Sequence, residues 1–123
     1  MICSFRSAVE ARDQAAMAAA LHPDVVFRSP AVFRPYEGRD AVMALLGHVI
    51  EVMPDLSYFD ELEGEGSHAL FFRAHVGDRE VEGVDHLVVD ADGLVTELRV
   101  MVRPASGLMA LAEAMSARIA AAG

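Results

Sequence analysis

The stretch that most limits how this chain can fold runs from Arg79 to Asp90. Read as a strand, its odd positions are Val81, Gly83, Asp85, Leu87 and Val89, an apolar face interrupted by one carboxylate. Its even positions are Glu80, Glu82, Val84, His86, Val88 and Asp90, a mixed face. Gly77-Asp78 precedes it as a two-residue hairpin turn, and His68 to Val76 reads as the partner strand. That turn sets Val76 opposite Arg79, Ala74 opposite Val81, Phe72 opposite Gly83 and Leu70 opposite Asp85. Paired residues share a face, so both strands choose the same inside, and Asp85 is the titratable group on it. A carboxylate aimed into apolar surroundings has its charged form disfavoured, which raises its pKa.

The rest of the chain falls into place around this hairpin. Helical periodicity predicts one helix over Phe5–Leu21, ended by His22-Pro23-Asp24. Val25–Ser29 is a short strand stopped by Pro30, and Ala31–Gly38 is a loop broken by Pro35 and Gly38. Asp40 is placed to cap a second helix over Ala41–Met53. Leu56–Glu63 reads as a strand before the turn Gly64-Glu65-Gly66. After Ala91-Asp92-Gly93 the last strand, Val95–Arg103, turns Leu98, Val100 and Val102 inward. A final helix starts at Ser106 or Gly107, with Leu108, Leu111, Ala112, Met115 and Ile119 as its apolar stripe. Helices first and an antiparallel meander second is the α+β pattern, in a single domain over residues 1–123.

Composition removes several function classes. A net charge of −9 argues against nucleic acid and anionic membrane surfaces, which call for basic patches. All ten basic residues are arginine, a pattern that fits GC-rich bacterial coding. A lone Cys3 allows no internal disulfide and fits a reducing, cytoplasmic setting. No membrane span or leader is expected. No metal or other cofactor is expected either: His68, His75 and His86 are dispersed, with no His-x-His and no cysteine partner.

With these pieces in order, the chain resembles the nuclear-transport-factor-2-like superfamily, in its SnoaL-like and ketosteroid-isomerase-like branch. The resemblance rests on the run Leu21 to Pro30 after the first helix and on Tyr36-Glu37-Gly38-Arg39-Asp40-Ala41-Val42 into the second. It rests further on Met53-Pro54-Asp55-Leu56, on Gly83-Val84-Asp85-His86 and on Asp92-Gly93-Leu94-Val95. It implies a cone: a curved antiparallel sheet wrapped around helices, with an apolar cavity and a C-terminal helix. It also implies dimerisation through the sheet's outer face, here Phe71, Arg73, His75, Val84, His86 and Met101.

Transfer of chemistry is narrower. Ketosteroid isomerases use a carboxylate base, an oxyanion hole of one tyrosine and one neutral carboxylic acid, and a supporting tyrosine. Those positions fall on Ser29, Phe5, Asp85 and Leu46, so only the acid is matched. Polyketide-cyclase members depend on a pocket acid/base, for which Asp85 is the nearest match. Epoxide-hydrolase members need an arginine with two aspartates, a set not found on the inner face.

The expected cavity lining is therefore Phe5, Phe27, Ser29, Phe33, Leu46, Phe72, Asp85, Leu98 and Val100. Asp85 is either a hydrogen-bond donor and acid/base or a carboxylate satisfied by backbone, water or Arg99. His48 could pair with it or be a half-exposed helix histidine, and Ser29 is either a nucleophile or a turn residue. His75 is set opposite Glu80 as a cross-strand pair. Three functions stay open: binding a small, mostly apolar molecule; isomerase, cyclase or dehydratase chemistry at Asp85 on a steroid-like or polyketide-like substrate; or a dimeric interaction module whose cavity is filled core.

Overall fold

The computed structural model describes residues 3–122. The alanine-rich first segment forms two helices where one was expected, α1 (Ser4–Glu10) and α2 (Gln14–Ala20). Arg12 breaks it by taking a left-handed φ of 55°. Asp13 then caps α2 by accepting the Ala16 N–H at 3.0 Å, satisfying a donor that the break would otherwise orphan. The Arg12 guanidinium holds the kink from outside, donating to the carbonyls of Val9, Pro54 and Leu56, each at 2.8 Å.

β1 (Leu21–Arg28) begins earlier than expected, running through His22-Pro23-Asp24. Within the expected loop, Tyr36 and Glu37 form a two-residue β2 that folds back on β1, Tyr36 opposite Phe27. α3 (Arg39–Val52) is entered through Gly38 at φ 94°, so Asp40 sits in the first turn instead of at the cap. There it still complements the helix dipole.

The β half comes next as β3 (Ser57–Gly64), β4 (Ser67–Val76), β5 (Arg79–Val89) and β6 (Val95–Arg103), and α4 (Ala105–Ala122) closes the chain. Strand order is β2-β1-β6-β5-β4-β3. β3 to β6 form the antiparallel meander, whereas β1 runs parallel to β6, which makes the sheet mixed. The β4–β5 register is the one the turn dictates: Leu70 faces Asp85, Phe72 faces Gly83 and Ala74 faces Val81.

β3 carries an irregularity that decides which of its side chains reach the interior. Tyr58 opposes Phe72 but Asp60 opposes Phe71, so Phe59 is an extra residue, a β-bulge. Because side chains alternate with period two, one extra residue switches the inward positions from even to odd numbers beyond it. Tyr58 points inward before the bulge, and Glu61, opposite the buried Leu70, points inward after it.

The helices cover the inner face. Phe5, Ala8 and Val9 of α1, Met17 of α2, Val42, Leu45 and Leu46 of α3 and Leu111 of α4 join Leu70, Phe72, Val81, Leu87 and Leu98 in one core. Two glycines permit close approach. A Cβ on Gly83 would lie 2.4 Å from the Phe72 ring, and one on Gly107 would lie 2.5 Å from Val81 Cγ1. Phe72 therefore lies across β5, and the start of α4 sits directly on the same strand.

Candidate functional site

Between the helices and the inner face lies a cavity of about 90 Å³. Its inner wall is Phe5, Phe27, Leu46, Tyr58, Phe72, Asp85 and Leu98, all buried. The lining becomes partly exposed at Ser29, Pro30, Ile50 and Met115, where the hollow approaches the surface.

Asp85 is the buried charged residue of this core among the described residues, at 7% exposure. Leu70 and Val100 flank it across the strands, so its surroundings are apolar on both sides. Tyr58 reaches it from two strands away, its hydroxyl donating to Asp85 Oδ2 at 2.7 Å. The Tyr58 ring is held edge-on by Phe72, 6.4 Å between centroids at 89°, and the Arg6 guanidinium lies 5.8 Å from the ring centre.

Burial drives the acidity of both groups. Desolvation pushes the Asp85 carboxyl up to about 7, against the opposing pull of the Tyr58 hydrogen bond. Burial, then the neighbouring Asp85, raises the Tyr58 phenol well above its ordinary value, so it stays a donor. With Oδ2 engaged by Tyr58, Oδ1 is the oxygen that can carry a proton toward the cavity. Below about 7 the group is a carboxylic acid that donates, and above it a carboxylate that accepts.

The residues named from sequence divide clearly. Phe5, Phe27, Ser29, Leu46, Phe72, Asp85, Leu98 and Val100 all line this one cavity. Phe33 does not: it is fully exposed at the tip of the β1–β2 connection. The return of β2 onto β1 makes Tyr36 the aromatic that packs on Phe27, at 6.2 Å, and leaves Phe33 projecting. His48 is also off the cavity. Leu45, Leu46, Val49 and Met53 form the cavity-facing arc of α3 and its end, and the helical repeat carries His48 to the flank. Ser29 Oγ accepts the Ala31 N–H at 3.0 Å, the bond of a turn residue. Arg99 pairs with Glu97 at 2.9 Å, not with Asp85.

Sequence reasoning misses Tyr58, and the bulge explains why. Simple alternation through Tyr58, Asp60 and Leu62 gives no consistent inner face, so nothing marks the tyrosine as inward. No sequence signal marks it: straight pairing back from the Gly64–Ser67 turn sets Tyr58 opposite the outward Arg73, and only the bulge brings it opposite Phe72. His75 has a different partner from the one expected: although opposite Glu80, it meets Asp55, Nδ1 to Oδ2 at 2.6 Å. The bond raises the His75 pKa and lowers that of Asp55.

On the outer face, Phe71, Val84 and Met101 lie side by side across β4, β5 and β6. Phe59, pushed out by the bulge, packs on Phe71 at 6.2 Å, and Arg73 stacks over it at 4.0 Å. On the inner face beyond the bulge, next to Tyr58, the fold brings Cys3 beside Glu61 and His68. Cys3 thus has the histidine neighbour that the sequence did not reveal. Burial, with Glu61 nearby, pushes its thiol pKa up.

An α+β cone with one acid–phenol pair in an apolar hollow defines a class, and comparison with known proteins supplies the family. The model of the SnoaL-like domain matches residues 4–119, and the chain belongs to that family. A crystal structure of a steroid delta-isomerase from Pseudomonas aeruginosa is 40% identical, with a TM-score of 0.90, over 95% of this chain and 87% of that one. An uncharacterized protein conserved in bacteria with a cystatin-like fold, from Silicibacter pomeroyi DSS-3, is 33% identical, with a TM-score of 0.89, over 94% and 82%. A SnoaL-like protein of unknown function from Burkholderia thailandensis shares the fold at 17% identity and a TM-score of 0.69, over 82% and 90%. No curated protein matches the chain. No helix among the described residues is long and apolar enough to cross a membrane.

Proposed function

We propose that the cavity binds a small, mostly apolar molecule through one oxygen, and that Asp85 hydrogen-bonds that oxygen. The observation that carries this is the 2.7 Å bond between Tyr58 and Asp85 at the wall of an otherwise apolar hollow. A buried carboxyl costs stability, and the phenol satisfies only one of its oxygens. A ligand carbonyl accepts from the protonated Oδ1, and a ligand hydroxyl donates to the carboxylate. The apolar walls supply affinity and the acid supplies orientation.

A second reading has Asp85 as acid/base in an isomerase, cyclase or dehydratase. Its support is a carboxyl poised at about 7, where both protonation states are populated near neutrality. The similarity to the Pseudomonas aeruginosa steroid delta-isomerase supports it too. Ser29 at the position of that mechanism's base, and Phe5 at its tyrosine, count against the same steps being used here. The protein acts as a homodimer through Phe71, Arg73, His75, Val84, His86 and Met101, a reading supported by Phe71, Val84 and Met101 lying side by side with Met101 52% exposed. A cytoplasmic setting is supported by the lone cysteine.

The test uses phenol, a one-ring apolar probe with one hydroxyl, matched to a hollow of about 90 Å³, with wild type, Asp85→Asn and Asp85→Leu. Saturable binding that survives in Asp85→Asn and is lost in Asp85→Leu is the expected result. No saturable binding, or equal binding by Asp85→Leu, overturns it. Native mass spectrometry of the freshly purified protein then seeks a retained molecule for turnover assays, where loss of turnover in Asp85→Asn with affinity kept favours the enzyme.

A further inference from the structure

The cluster formed by Cys3, Glu61 and His68 lies outside the cavity, and the chemistry of Asp85 and Tyr58 gives it no task. The sulfur, a carboxylate oxygen and a ring nitrogen lie within 4.8 Å of one another. Three elements deliver them: the residue before α1, the inward side of β3 beyond its bulge, and the start of β4. Glu61 and His68 have side chains only 10% and 14% exposed.

We propose that these three residues bind a divalent zinc-class cation that ties α1 to β3 and β4. Thiolate, imidazole and carboxylate together are the donors of zinc, whereas calcium and magnesium call for oxygen sets. Zinc bonds of about 2.0–2.3 Å in a tetrahedron space the ligand atoms about 3.5 Å apart. Glu61 Oε2 and His68 Nδ1 already stand at 3.2 Å, and the three ligand atoms lie within 4.8 Å of one another, close to that spacing.

The surroundings suit an ion. Arg6 donates to Glu61 Oε1 at 3.2 Å, which orients the carboxylate and leaves Oε2 for the metal. A groove lined by Cys3, His68 and Glu63 borders the cluster and leaves room for a water as the fourth ligand. On binding, the Cys3 thiol gives its proton to solvent and the sulfur bonds the metal; His68 binds as neutral imidazole with its proton on Nε2. Cation, thiolate and carboxylate then sum to zero charge. The clamp secures the helix that carries Phe5, a wall of the cavity.

The experiment titrates Co²⁺, then Zn²⁺, into reduced, metal-free full-length protein. One Co²⁺ per chain with a thiolate-to-cobalt charge-transfer band, displaced by Zn²⁺ and not by Mg²⁺, is expected. Zn²⁺ should also raise Tm. Cys3→Ser should abolish the band and the rise in Tm, and His68→Ala should weaken binding. Arg6→Met should weaken it roughly ten- to hundredfold. Asp85→Asn should bind as wild type does. Circular dichroism of Cys3→Ser, a substitution that conserves size, establishes that the variant is folded. Absence of the band in wild type, or equal affinity and equal Tm shifts in wild type and Cys3→Ser, overturns the proposal.

Discussion

Tyr58 and Asp85 meet at 2.7 Å although their strands never pair: β3 and β5 lie on either side of β4, and the two side chains bond above it. The phenol works against burial by stabilising the carboxylate. Replacing Tyr58 by Phe removes that help, so the Asp85 pKa should move above about 7. Carboxyl carbon shifts followed by NMR across pH would show it. A pKa unchanged or lowered in Tyr58→Phe would contradict the hydrogen bond's role.

Stability should depend on pH through Asp85. Its folded pKa, about 7, lies above the ordinary 3.8, so the folded state holds the proton more tightly than the unfolded chain. The benefit is complete below the ordinary value and is lost as pH rises through about 7. A shift of this size corresponds to roughly 4 kcal/mol across the window, an upper figure for a single group. Urea unfolding of wild type against Asp85→Asn should show the variant gaining relative stability between those pH values and no further above them.

Gly83→Ala should destabilise. The new methyl would meet the Phe72 ring at 2.4 Å and the Met101 carbonyl oxygen at 2.5 Å. Overpacking of this kind costs roughly 1–3 kcal/mol. Because Phe72 braces Tyr58, the Asp85 titration should shift as well. Urea melts and the same NMR titration check both effects.

Arg12→Ala should loosen the junction between the first two helices and the chain after α3. It deletes three donors to the carbonyls of Val9, Pro54 and Leu56. Charged hydrogen bonds contribute roughly 1.5–3 kcal/mol each, less when lost together. Faster hydrogen exchange in α1 and α2, with β4 and β5 unaffected, is the expected pattern.

The outer face gives a test of association. Met101→Glu, at a residue 52% exposed, should leave the fold intact. If Phe71, Val84 and Met101 form the homodimer contact, sedimentation should show wild type as dimer and the variant as monomer. A monomeric wild type would remove that contact.

The hairpin was legible because two signals agreed. A two-residue turn set the register, and alternation in His68–Val76 and Arg79–Asp90 chose the same inside independently. Asp85 came from that alone. Tyr58 did not, since one inserted residue hides the alternation of its strand. The α1–α2 break was equally hidden, since alanines favour helix everywhere and neither Gly nor Pro marks the kink. Phe33 misleads because an aromatic in a loop reads as wall, yet the segment's return onto β1 brings Tyr36 to Phe27 and leaves Phe33 outside. His48 misled because a mostly apolar helix does not declare which arc faces the hollow. Glu61 and His68 flank a turn legible in the sequence, but Cys3 is remote from both, so only folding completes the cluster.

The extra residue at Phe59 lets one strand serve two compartments and still show a ring to the exterior. Upstream of it the strand gives a phenol to a greasy chamber; downstream it gives an acid to a polar corner beneath the first helix. Its partners across the ladder are already in step, Tyr58 with Phe72 and Glu61 with Leu70. Losing the Phe59 codon would therefore straighten β3 and keep both inward groups in place. What would vanish is the ring between Arg73 and Phe71, so the exterior can be redrawn by a deletion that spares the interior.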